Sequence, residues 1–125
     1  MAQDRIDLFA ALDEDLEWYN GKALLNFPIS FYYPDSDNPS QIGAVYDFPG
    51  YVSSYWKIFN RRQGKTLKSF TTQVTRSSNV LLLNCSVSDM TFEDNIQTAK
   101  YYYEMGYIQT GGYEIPLRYG DFYVK

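Results

Sequence analysis

Residues 51–124 read almost without interruption as alternating strands, and this run constrains the chain more than any other feature. The segments SSYWKIFN, LKSFTTQVT, NVLLLNCSV and KYYYEMGYI carry β-branched or aromatic residues at period two, separated by short polar or glycine-bearing turns. Successive side chains of a strand point to opposite faces, so such alternation describes strands with one buried and one wetter face. Antiparallel sheets tolerate that asymmetry, and two of them packed face to face make a β-sandwich. A chain of 125 residues buries roughly two thirds of its unfolded surface, enough for one core without disulfides. Cys85, the only cysteine, lies on an apolar run with Leu81, Leu83 and Val87, which predicts a buried, unreactive thiol.

The strand faces follow from the same period. In SSYWKIFN, Trp56 and Ile58 share one face while Tyr55, Lys57 and Phe59 share the other. The charged face belongs outside, so Trp56 is expected in the core. In KYYYEMGYI, Tyr101, Tyr103, Met105 and Tyr107 oppose Tyr102, Glu104 and Ile108. Gly111 and Gly112 supply a hairpin turn into the last strand, YEIPLRYGDFYV. Pro116 there, and Pro28 in the first strand LLNFPISFYY, each remove a backbone donor and predict an edge position or a bulge. The stretch PDSDNPSQIG reads as a loop. Its Asp35, Asp37 and Asn38 resemble the opening of a calcium loop but lack the downstream glycine and glutamate at EF-hand spacing. In SDMTFEDN, the residues after Ser88 suit a short helical turn crossing between sheets.

Residues 1–22 form an acidic arm ahead of a domain at 23–125. Ile6, Leu8, Phe9, Leu12, Leu16 and Trp18 stand there among acids. Ile6, Phe9, Leu12 and Leu16 suit one face of a helix, but no clear cap precedes them and an extended arm fits equally. Burying each such residue is worth about 1.5–3 kcal/mol, so they are expected to dock somewhere. Residues 1–50 carry a net charge of −7 and residues 51–125 a net charge of +3. That split acts within one molecule, or between copies through the basic turn NRRQGK, unless both segments are simply solvated. The expected contact residues are therefore those six arm residues together with Lys57, Arg61, Arg62, Lys65 and Lys68.

Several functions lack equipment. There is no histidine, the commonest general base and metal ligand. Asp13, Glu14, Asp15, Asp47 and Glu104 are available acids, yet no spacing singles out a glycosidase pair. Neither an enzyme nor a cofactor is expected. With a net charge of −4 and most bases in one turn, nucleic-acid binding is not expected either. No stretch approaches the roughly 20 apolar residues of a membrane span, and the start MAQDRIDLF lacks a signal-peptide layout, so synthesis in a cytoplasm is expected. Thirteen tyrosines suit contact surfaces as well as cores. One alternative use of the rings is a carbohydrate-binding face built from Trp18, Trp56, Tyr32, Tyr33, Tyr46, Tyr51 and Tyr55.

The order DFPGYVSSYWKIFN, a basic turn, LLLNCSVSDMTFED, KYYYEMGY, a glycine turn and LRYGDFYV resembles the immunoglobulin-like modules of tailed-bacteriophage virion proteins. The nearest comparison is the N-terminal module of baseplate upper proteins, with related neck, head-fibre and capsid-decoration modules. Asp47, Gly50 and Tyr51 match the turn that opens a strand in that pattern. Met90, Thr91 and Phe92 match its crossover, Tyr101 and Tyr103 its Tyr-x-Tyr strand, and Gly120, Phe122 and Val124 its closing run. The resemblance covers about 75 residues, plus the strand from Leu24 to Tyr33, and leaves residues 1–20 without a counterpart. It implies a structural virion component that docks on capsid, neck, tail or fibre proteins, as a homo-oligomer in the particle, without cofactor or metal. Antibody-type domains differ by an inter-sheet cysteine pair that this chain lacks.

Overall fold

The alternation is realised as strands throughout a computed structural model that describes residues 12–13, 15–38, 41–60, 65–92 and 101–125, with no helix among them. In chain order the strands are β1 (Leu12–Asp13), β2 (Leu16–Trp18), β3 (Leu24–Ser30), β4 (Tyr32–Pro34), β5 (Ile42–Val45), β6 (Tyr51–Asn60), β7 (Lys65–Phe70), β8 (Val74–Ser77), β9 (Val80–Cys85), β10 (Tyr101–Gln109) and β11 (Tyr113–Val124). A large sheet has the order β1-β11-β10-β6-β7, with β2 also on β11. A small sheet has the order β3-β9-β8, and β4 and β5 form a separate ribbon. All neighbours are antiparallel except β1 and β2, which run parallel to β11.

The inward faces meet in one buried cluster. Trp56, Ile58, Phe70, Tyr101, Tyr103, Met105, Tyr107, Leu117 and Phe122 come from the large sheet. Leu24, Ile29, Val74, Leu81, Leu83 and Cys85 come from the small one. Two antiparallel sheets sharing a core is the arrangement of a β-sandwich. The chain passes between the two larger sheets four times, from β2 to β3, from β3 through the β4–β5 ribbon to β6, from β7 to β8 and from β9 to β10.

Both prolines occupy tolerant positions. Pro28 lies on β3, an edge strand of the small sheet, just past a register shift between Leu24 and Phe27. Asn26 takes a φ of 51° in that irregularity and donates its backbone N–H to Asn84 Oδ1 at 2.9 Å. Pro116 flanks the bulge where Met105 pairs with Arg118 but Gly106 pairs with Pro116, which leaves Leu117 as the extra residue. An unpaired proline nitrogen costs nothing where the ladder is already broken.

The turn after β9 differs from the expected one. Ser86 and Asp89 form the reciprocal pair: Ser86 N donates to Asp89 Oδ2 at 2.9 Å, and Asp89 N donates to Ser86 Oγ at 3.2 Å. This Ser-x-x-Asp box begins two residues before Ser88 and closes a turn over residues 87–90 rather than a helix. It also redirects the chain, so Val87 is 56% exposed instead of continuing the buried run of Leu81, Leu83 and Cys85. Residues 93–95 of SDMTFEDN lie outside the described residues.

Candidate interaction surfaces

Part of the N-terminal segment is built into the sandwich. Leu16 pairs with Phe122 and Trp18 with Val124, and both side chains are half-buried against the core. Trp18 Nε1 donates to the Lys22 carbonyl at 2.9 Å, and its ring meets Phe27 edge-on at 5.9 Å. Glu17 pairs with Lys125 at 3.1 Å, and Asp15 Oδ1 accepts the Asp121 N–H at 3.1 Å. Over Leu16–Trp18 the segment is therefore extended and joined to β11. Ile6, Leu8 and Phe9 lie outside the described residues, as does the side chain of Leu12. Trp18→Ala should cost about 1–2 kcal/mol, below the 3–5 kcal/mol of a fully buried tryptophan, because its side chain is only partly buried. Urea denaturation followed by circular dichroism measures this, and an unchanged midpoint would remove Trp18 from the packing.

The lysines do not form one patch. Lys57 pairs with Ser69 and Lys68 with Ile58 across neighbouring β6 and β7 positions, so the two point to opposite faces of the large sheet. Lys57 Nζ contacts Glu114 at 2.6 Å and lies 5.1 Å from the centre of the Tyr55 ring. Tyr55 donates its hydroxyl to Glu104 Oε2 at 2.7 Å. Tyr55 is on the outward face, as expected, yet only 2% exposed. Its neighbour in register on β10 is Gly106, which brings no side chain of its own to that position. Lys65 is exposed at the start of the edge strand β7, where a charge discourages unwanted strand pairing. Arg61 and Arg62 lie outside the described residues.

Lys68 opens onto a feature that sequence reasoning missed. Beside β7 is an open groove of about 620 Å³ lined by Leu67, Lys68, Val87, Ser88, Thr91, Phe92 and Tyr101. The Lys68 ammonium sits 5.0 Å over the Phe92 ring, while Leu67 is 39% exposed. The one sequence signal for it was the Ser-x-x-Asp box, which ends the period-two run before Val87.

Tyrosines and phenylalanines gather at the β4–β5 end of the molecule. Tyr46 and Phe48 are buried with ring centres 4.9 Å apart, and each packs against Tyr107. Tyr46 and Tyr107 share a hydroxyl contact of 3.1 Å, and Tyr107 donates to the Pro49 carbonyl at 2.8 Å. The Arg76 guanidinium lies over Phe48 and Tyr51, and donates to the Asp47 carbonyl. Tyr33 donates to the Asp47 carboxylate. Burial and that carboxylate push the Tyr33 hydroxyl up to about 12. Burial also raises Tyr46, Tyr55 and Tyr107 above the ordinary phenol range, reinforced by bonds to Tyr107 at Tyr46 and to Glu104 at Tyr55.

A phenol held neutral in the fold stabilises it below the unfolded value near 10, and that stability is lost as pH climbs toward the raised folded value. The protein should therefore lose stability from about pH 10 to 12. The tyrosinate absorbance of Tyr33, Tyr46, Tyr55 and Tyr107 should rise together with unfolding, as a late step in the alkaline titration. A single smooth titration with constant circular dichroism would contradict this.

The seven rings named for a sugar-binding face do not form an exposed row: Tyr46, Tyr55 and Trp56 are buried, and Trp18, Tyr32, Tyr33 and Tyr51 half-buried. Asp35 Oδ1 is engaged by the backbone N–H groups of Asp37 and Asn38, and the described residues contain no group of three ligands placed to hold a metal ion. Cys85 is buried, and burial followed by the nearby Asp89 charge pushes its thiol up to about 12. No family model, curated protein or solved structure matches the chain.

Proposed function

We propose that this chain is a non-enzymatic structural protein of a tailed-bacteriophage particle, an immunoglobulin-like sandwich that works through protein–protein contacts. The strand order carries the reading. A three-stranded β3-β9-β8 sheet opposite β11-β10-β6-β7 follows the order of an immunoglobulin-like sandwich, in which strands B, E and D oppose G, F and C, with one added neighbour beside C. On that correspondence Trp56 occupies the C strand, where such sandwiches bury a tryptophan. Here it packs against Phe70 and Phe122 in place of a disulfide.

The resemblance of residues 51–124 to virion modules supplies the setting. The polar groups of the molecule also fit a structural role, since Glu104, Glu114 and Asp47 each serve a neighbouring tyrosine or lysine of the framework. Quantitative mass spectrometry of purified particles tests the proposal by counting this chain against the major capsid protein. A ratio near one, or a simple fraction, assigns it to the head, and a few copies per hundred to the neck or tail. Its absence from particles would sink the virion reading.

A further inference from the structure

We infer that the groove beside β7 receives residues 1–11 of a second copy of this chain, so that copies join head to tail. The inference rests on the proposed assembly role and names the contact that would perform it. The two surfaces match in chemistry. Residues 1–11 combine the carboxylates of Asp4 and Asp7, set against one arginine, Arg5, with the apolar side chains of Ile6, Leu8 and Phe9. The groove combines the Lys68 ammonium with exposed Leu67 and Val87, buried Phe92 and the hydroxyls of Ser88 and Thr91. Its described lining contains no acid.

The sheet order sets the geometry. β1 and β7 are the opposite edges of the large sheet, with β11, β10 and β6 between them. Four strand spacings separate the edges by about 19 Å. The direction of β1 matters as well. It runs parallel to β11 from Arg118 to Tyr119, toward Phe122, and the groove lies at the Phe122 end, where Tyr101 pairs with that residue. Residues feeding β1 from the same copy would have to reverse direction and cross the sheet to reach their own groove. A segment offered at one edge and a groove at the other form a heterologous contact, which closes into a ring or propagates as a filament. Eleven extended residues reach about 36–40 Å, enough to bridge neighbouring sandwiches.

Cysteine cross-linking of the full chain tests the contact, because native Cys85 is buried with its thiol pushed up to about 12 and does not compete. A Phe9→Cys copy mixed with a Val87→Cys copy, or with a Leu67→Cys copy, should yield a disulfide-linked dimer on oxidation with copper phenanthroline. The double variant Phe9→Cys with Val87→Cys should yield a ladder or a closed ring. Lys68→Glu in the acceptor should lower the yield about tenfold at limiting concentration. Asp4→Lys with Asp7→Lys in the donor should restore it, and near-ultraviolet circular dichroism checks that every variant is folded. A cross-link confined within one chain, no cross-link at either groove position, or a yield indifferent to Lys68→Glu overturns the inference. Failure of the cross-link with the chain present in particles would leave the virion reading standing. A ladder from a chain absent from particles would support head-to-tail joining and remove the virion.

Discussion

Gly106→Ala is expected to destabilise the protein by about 3 kcal/mol, at the upper end of the cost of overpacking. The midpoint of thermal unfolding should fall by roughly 10–15 °C for a domain of this size. A Cβ at position 106 would stand 2.1 Å from the Ile115 carbonyl oxygen and 2.9 Å from the Pro116 Cα. Those are backbone atoms, so no side-chain rotation relieves the clash. β11 is held on both sides of the bulge, by pairs from Met105↔Arg118 to Tyr101↔Phe122 and from Tyr107↔Ile115 to Gln109↔Tyr113, so it has little room to move away. Displacing it would also disturb buried Leu117. Gly112→Ala is the control. Its Cβ meets nothing within 4 Å, and its φ of 86° carries the whole penalty, about 1 kcal/mol. Equal losses from the two substitutions, read by thermal melts, would mean that close approach at the bulge is not what demands glycine.

Trp56→Ala should cost about 3–5 kcal/mol, the range for emptying a buried aromatic site. Trp56 is fully buried on the central strand β6, with Phe70 at 5.3 Å and Phe122 edge-on at 5.8 Å between ring centres. Both neighbours belong to the large sheet and are themselves held in the core. The site therefore has little freedom to collapse. The indole Nε1 is buried without a hydrogen-bond partner among the described residues, a debt of about 1–3 kcal/mol. Trp56→Phe removes that donor along with part of the ring, so its loss should stay near 1–2 kcal/mol despite the smaller volume. Guanidinium denaturation of both variants separates the contributions. If the phenylalanine variant loses as much as the alanine variant, the unpaired donor is not a burden on the fold.

Much of the framework was legible one strand at a time. The period-two reading placed Trp56 and Ile58 inward and put Tyr101, Tyr103, Met105 and Tyr107 together on one face, and all six are in the core. It gave Pro28 and Pro116 each an edge position or a bulge, because a missing donor is a local fact, and the strand pairing placed Pro28 on an edge strand and Pro116 at a bulge. Val87 departs from it, since two hydrogen bonds between Ser86 and Asp89 turn the chain before the alternation can continue. Tyr55 departs in part, since its outward direction was legible but its burial was not, with Lys57 over its ring and Glu104 of distant β10 holding its hydroxyl. The contact set was less legible than the core. Lys57 and Lys68 looked like members of one basic surface, yet odd and even positions of paired strands put them on opposite faces. Arg61 and Arg62, with Ile6, Leu8 and Phe9, lie outside the described residues.

The sequence by itself determined that residues 23–125 are built of strands, which residues of β6 face inward, which residues of β10 share a face, that Cys85 is buried and where backbone donors are missing. These follow from periodicity and residue chemistry within a few positions. Only the tertiary structure decided that β10 lies between β6 and β11, that β1 and β2 join β11 in parallel, and that Gly106 must admit the Ile115 carbonyl. It also formed the groove from β7, the turn after β9 and the start of β10. Strand pairing joins residues far apart in the chain, and a local pattern specifies which face a side chain takes but not which distant strand lies beside it.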